Sequence, residues 1–227
     1  MIELRQLCVS IGPVRILEQV QLKVAAGAVI GIVGHNGAGK TSLVRAMIGA
    51  LPATSGQVWL DGQDVSGWRI QDRVRLGLGY MPEDRRLVPE LSVRANLELP
   101  LEVARLAPAE RRRRTDRALE MIPELRPLID RRGNQLSGGQ QKLAALARAI
   151  GQGDRLLLLD EPFEGVAPAL VERLVTVLRA LRRDGPTILV TDSEGANLRG
   201  LCDARWTLER GRIRPDTPID PSIEITP

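Results

Sequence analysis

Gly34-His35-Asn36-Gly37-Ala38-Gly39-Lys40-Thr41 is a complete G-x-x-x-x-G-K-[ST] loop, and its flanks decide the fold class. The apolar run Val29–Val33 precedes it and the helix-like Ser42–Ile48 follows it. Strand, glycine loop and helix come in the order that phosphate binding needs. Glycines let the backbone wrap a phosphate closely, and their N–H groups form an anion nest at a helix N-terminus. Lys40 can reach the β- and γ-phosphates, and the Thr41 hydroxyl, next to Ser42, can ligate Mg²⁺. A glycine-rich turn matching by chance is the plain alternative, and the strand and helix on either side argue against it.

Two further motifs lie far along the chain. Leu136-Ser137-Gly138-Gly139-Gln140 precedes the helical run Gln141–Ile150, and Leu156–Leu159 then runs into Asp160-Glu161. Four leucines ending in two acids read as a buried parallel strand that delivers carboxylates to its C-terminal edge, where ligands of doubly wound sheets sit. There Asp160 would hold Mg²⁺ through its water shell, and Glu161 would polarise or orient an attacking water. Taken singly, the serine motif could be only a helix cap, and the acidic pair only a strand end. In this order, the three motifs resemble the ATP-binding cassette (ABC) ATPase family across nearly the whole chain.

The resemblance implies an α/β fold: a P-loop NTPase cassette with a RecA-like core, an antiparallel β subdomain and an inserted all-helical subdomain. The expected division is a catalytic core with its β layer over 1–83 and 152–214, a helical subdomain over 84–151, and a Pro-rich tail over 215–227. The cofactors expected are ATP and Mg²⁺. The phosphate loop Gly34–Ser42 of one subunit and Leu136–Gln140 of another would sandwich each ATP, so Ser137 and its neighbours act in trans. The metal would sit on Thr41, Asp160 and the loop residue Glu83.

Four positions depart from the family pattern. Ile11 replaces the aromatic that stacks on adenine, which implies loose base discrimination. Glu83, in Tyr80–Arg86, stands for a glutamine and adds a negative charge. Ala167 takes the place of an aspartate that often follows the acidic pair. Ser193 aligns with the histidine that contacts the γ-phosphate; the only histidine in the chain is His35, inside the phosphate loop. Ser193 can still hydrogen-bond a phosphate or water but cannot become cationic, and His35 is given no catalytic role. Pro82-Glu83 before Arg85-Arg86, with Gly165–Pro168, is most similar to the shorter ATPase of branched-chain amino-acid-type importers, relatives of which handle urea or short amides. That implies a second, related but non-identical ATPase or a second copy, two membrane permease subunits, and indirectly a solute-binding protein. A catalytically weak, nucleotide-gated module relying on a partner ATPase is the alternative.

Bulk composition is compatible with this reading. The 227 residues are 26% charged and 43% hydrophobic, enough for one large α/β domain. No apolar stretch reaches bilayer length and Met1–Arg5 does not read as a signal peptide, so a peripheral place on the cytoplasmic face of the membrane is expected. Cys8 and Cys202, in apolar strand-like contexts, read as reduced core thiols. The net charge is +4, and Arg111–Arg114 is the densest basic run. It reads first as a solvated helix face and second as a headgroup or partner contact. Nucleic acid is not expected, because aromatics are only 2% and no stacking platform is visible.

Overall fold

A computed structural model of the chain describes residues 1–216. β1 (Ile2–Ile11), β2 (Val14–Val24), β4 (Ser55–Leu60) and the short β5 (Gln63–Asp64) form an antiparallel sheet in the order β2-β1-β4-β5. Its alternating strands bury Leu4, Leu7, Val9, Leu17 and Leu22 against the core side. The second sheet holds β3 (Val29–Val33), β6 (Leu78–Met81), β7 (Leu156–Leu159), β8 (Thr187–Asp192), β9 (Ala204–Glu209) and β10 (Arg212–Pro215). Its order is β10-β9-β3-β8-β7-β6; all neighbours are parallel except the β9–β10 hairpin.

The central strands β3, β7 and β8 are covered on both faces, which is why they read as unbroken apolar runs. One core cluster joins β1, β2 and α1 (Lys40–Ile48) to one face. The other joins the opposite face to α6 (Pro168–Asp184) and to the helical segment. That segment contains α3 (Val93–Val103), α4 (Pro108–Met121) and α5 (Gly138–Gln152); the six-residue α2 (Ile70–Arg75) precedes β6.

The structure differs from the sequence reading at two places, the tail and Cys202. Pro215, expected in the Pro-rich tail, closes β10, where Arg214 and Pro215 pair with Thr207 and Trp206, and Asp216 follows with its N–H on the Arg205 carbonyl; residues 217–227 of that tail lie outside the described residues. An edge position makes the proline tolerable, since its missing N–H faces away from the sheet. Cys202 precedes β9 rather than lying in a strand; both cysteines are half-buried free thiols, and burial pushes the Cys202 thiol up to about 12. In the basic run, Arg113 and Arg114 pair with Glu110 at 2.7 and 2.6 Å and Arg111 with Glu102 at 3.3 Å. Arg114 also binds Asp154 at 2.7 Å, pinning α4 to the core. Most of that charge is neutralised locally.

Candidate active site

The phosphate loop turns between β3 and α1 because its glycines take positions that a side chain cannot. A Cβ on Gly34 would lie 2.4 Å from the Leu208 carbonyl oxygen, and Gly39 adopts φ +107° directly before α1. His35, Asn36 and Gly37 face solvent, while Ala38 and Lys40 are buried. His35 does no more than place Nδ1 3.0 Å from the Asn36 carbonyl.

Lys40 Nζ donates to the carbonyl of Gly34, to that of His35 at 3.1 Å and more distantly to Ser193 Oγ at 3.4 Å. It also pairs with Glu161 Oε1 at 3.0 Å, with both side chains about 95% buried. Ser193 Oγ lies 2.7 Å from the same Glu161 oxygen and 3.0 Å from the side-chain amide of Asn36. A hydroxyl has one proton, and the charged carboxylate 2.7 Å away is the stronger acceptor. Ser193 Oγ therefore gives its proton to Glu161, with Asn36 Oδ1 a second, more distant acceptor at 3.0 Å. The structure thus brings Lys40, Glu161, Ser193 and Asn36 together.

Glu161 itself sits in the left-handed region at φ +47°, a costly conformation for a non-glycine residue. Three contacts impose it. Its N–H donates to Thr191 Oγ1 at 2.9 Å, its carbonyl accepts from Lys142 Nζ at 2.9 Å, and its side chain is held by Lys40. Thr191 in turn donates to Asp160 Oδ1 at 2.9 Å. Thr191 and Lys142 were not singled out in the sequence, since neither stands inside a motif that names it.

Asp160 Oδ2 is buried and has no hydrogen-bond partner among the described residues. Burial raises the carboxyl above its usual range, with Thr191 and Thr41 opposing. Glu83 faces the same space and is raised by partial desolvation and by the charges of Glu164, Asp160, Glu161 and Asp84. An orphaned buried oxygen among mutually repelling carboxylates fits a divalent cation. Thr41, Asp160 and Glu83 are the residues that would hold Mg²⁺, which would neutralise phosphate charge there.

These groups open into a cleft of about 490 Å³ lined by the phosphate loop, Glu83, Glu161, Glu164 and Ile16. Ile11 does not line it; it is 53% exposed at the tip of the β1–β2 hairpin, and Ile16 supplies the apolar wall. Leu136–Gln140 lies apart from this cleft, at the start of α5. Ser137 and Gln140 form a reciprocal capping box, at 3.3 and 2.9 Å. Ser137 Oγ accepts in that box, so its proton stays free to donate. Ser137 and Gly138 are exposed, with N–H groups at a helix N-terminus that suits an anion brought by another molecule. Ala167 is the residue before α6, whose first residue is Pro168.

Residues 17–164 match the protein-family model described as ABC transporter. The chain is 34% identical over 198 residues to the lipopolysaccharide export system ATP-binding protein LptB of Acidithiobacillus ferridurans, covering 87% of this chain and 82% of that protein. It is 31% identical over 202 residues to the high-affinity branched-chain amino acid transport ATP-binding protein BraG of Pseudomonas aeruginosa, covering 89% and 86%. Among solved structures, the dimeric bacterial ABC transporter cassette MJ0796 superposes with a TM-score of 0.85 at 25% identity, covering 96% of this chain and 98% of that one. The same cassette in a post-hydrolysis dimer with ADP and Pi gives 0.84.

Proposed function

The chain belongs to the ABC transporter family as one of its ATP-binding, Mg²⁺-dependent, ATP-hydrolysing cassettes, and from that premise we propose that it powers a membrane transporter as a peripheral subunit. The observation that carries the catalytic part is the buried Lys40–Glu161 pair, held by Ser193. In the nucleotide-free chain the cation occupies the carboxylate. An arriving γ-phosphate draws Lys40 to itself and frees Glu161, still oriented by Ser193 and Thr191, to take a proton from water. The base is thus released only when its substrate is present. Leu136–Gln140 would close an ATP held by a second cassette, either another copy or a non-identical relative, since it lies outside this chain's own cleft.

No helix among the described residues is long and apolar enough to cross a membrane, and on this reading the transport path belongs to membrane permease subunits. A groove of about 430 Å³ between the core and α3 carries the exposed apolar residues Ile70, Leu99 and Val103 and would take one permease, so that a pair of cassettes engages two. A short apolar helix end of a permease fits there. Tyr80 and Pro82 line the same groove, directly before Glu83, so docking and the metal site share one loop.

The solute is read by the other subunits. Similarity to BraG, with Pro82-Glu83 and Arg85-Arg86, supports import of branched-chain amino acids or related small polar solutes through a solute-binding protein. Similarity to LptB supports a second reading, lipopolysaccharide export. Deleting the gene decides between them. Loss of ATP-dependent leucine uptake, restored by the parent chain and not by Glu161→Gln, is the expected result. Normal uptake with failed lipopolysaccharide export moves the chain to the second reading, and neither defect removes both.

A further inference from the structure

Two adjacent arginines follow Glu83 and point to different fates. Both have left-handed backbones, at φ +64° for Arg85 and +42° for Arg86. Both carbonyls are clamped by one guanidinium: Arg148 Nη2 donates to Arg85 and Nη1 to Arg86, each at 2.7 Å. Arg148 lies on α5, which Ser137 caps, so the loop is fixed to the very element that opens on Leu136–Gln140, the signature motif of the cassette. Arg86 is exposed and paired with Asp84 at 2.7 Å. The Arg85 side chain is half-buried and makes no ion pair or hydrogen bond among the described residues.

Arg85 Nη1 lies 3.2 Å from where a Cβ of Gly138 would stand, so the guanidinium rests on the first signature glycine. This is a poor place for a lone cation. The α5 N-terminus is the positive end of a helix dipole. Lys142, one turn further along α5, is buried and is held below its usual range by burial and by Arg85. Lys142 itself is turned inward to the carbonyls of Glu161 and Glu164, so the cation left at the exposed start of α5 is Arg85, and Ser137 offers its free proton beside it.

We propose that Arg85 is part of the trans nucleotide site: its guanidinium contacts the γ-phosphate of ATP held by the phosphate loop of a second copy of this chain, beside Ser137. The inference rests on the reading that Ser137–Gln140 closes a partner's ATP, and goes beyond it by adding a cation from the Glu83 loop. That loop then serves two nucleotides, with Glu83 facing this chain's own cleft and Arg85 facing the partner's. It supplies positive charge to the phosphate from the opposite side to Lys40.

Mixed pairs of full-length chains separate the possibilities. One differently tagged copy carries Lys40→Ala, leaving a single competent phosphate loop, and ATP hydrolysis of the isolated mixed pair is measured. Arg85→Gln is placed either on the Lys40→Ala copy, which faces the live ATP in trans, or on the other copy. The two pairs contain the same substitutions. A trans role makes the first slower than the second by about tenfold or more, the low end for a positioned donor, with Arg85→Lys restoring part of the difference. Equal rates, or the reverse order, overturn the proposal. Ser137→Arg, moved between copies in the same way, tests the underlying reading: its asymmetry with none for Arg85 rejects Arg85 alone, and no asymmetry for Ser137 rejects both. Absence of any ATP-dependent pairing of the parent chain also overturns it.

Discussion

Ser193 Oγ, which the family resemblance aligns with a histidine, stands 2.7 Å from Glu161 Oε1. Here the side chain is too short to bridge outward, and it holds the carboxylate instead. Ser193→Ala is expected to lower kcat about tenfold while leaving ATP affinity nearly unchanged, because orientation of the base is lost and phosphate binding is not. Steady-state kinetics that show a raised KM with an unchanged kcat would reassign Ser193 to nucleotide binding. With no cationic switch, turnover of the chain alone is expected to be slow, and Ser137→Arg should damage the assembled transporter more than Ser193→Ala does.

Glu161→Gln is expected to reduce hydrolysis by about 10²- to 10⁴-fold, the usual contribution of a positioned acid–base group. ATP binding should survive, because the amide keeps the shape and gives up its hold on Lys40. Lys40→Ala should do the opposite and weaken Mg-ATP binding itself. Calorimetry on both variants checks this contrast; equal ATP affinity for parent and Lys40→Ala would refute the role of Lys40.

Ile16 lines the cleft and Ile11 stands at the hairpin tip, so the two make different demands on the base. Ile16→Ala is expected to cost about 1–2 kcal/mol of nucleotide affinity, the scale of a partly lost aliphatic contact. Ile11→Tyr, outside the cleft lining, would tighten ATP by up to the roughly 1–3 kcal/mol of base stacking only if the longer ring reaches past Ile16 to the base. An ATP/GTP ratio untouched by Ile11→Tyr would leave Ile16 as the apolar contact.

Both metal-side carboxylates are raised above their usual range, Asp160 chiefly by burial and Glu83 by desolvation and neighbouring charge. A raised acid binds more protons folded than unfolded, so its contribution to stability falls as pH rises from the ordinary carboxylate range through the raised value. The nucleotide-free chain should therefore gain more Tm from Mg²⁺ at pH 8 than at pH 5. Thermal melts with and without Mg²⁺ measure this, and Asp160→Asn should flatten the difference. A gain independent of pH would show that these carboxylates do not bind the ion.

The three motifs were legible because each is local: a glycine loop, a capped helix start and an apolar strand ending in acids. What they do not contain is the tertiary cause of their geometry. Nothing adjacent to Glu161 in sequence indicates that Thr191 and Lys142 force it to φ +47°. Ile16 sits in a stretch whose strand pattern begins clearly only at Val20, because an edge of the hairpin is half-solvated and its alternation is weak. Arg148 looks like any charge on a helix, and only the loop folded across it reveals the clamp. β10 was hidden by the prolines around it, whereas the hairpin register from Arg212–Glu209 to Pro215–Trp206 is set by partners and not by propensity.

The phosphate-loop strand has consequences for the order in which the molecule can be made. Among the described residues β3 is hydrogen-bonded to β8 and β9 and to no other strand, so its partners lie more than 150 residues downstream. A nascent chain that has emerged only as far as α5 carries every residue of the glycine loop and the signature, yet β3 has two bare edges and Glu161 has not emerged. Such distant pairings are slow to form and leave apolar edges open meanwhile. During synthesis, nucleotide competence therefore arrives late and all at once, when the final third of the polypeptide inserts on both sides of a strand made near the beginning.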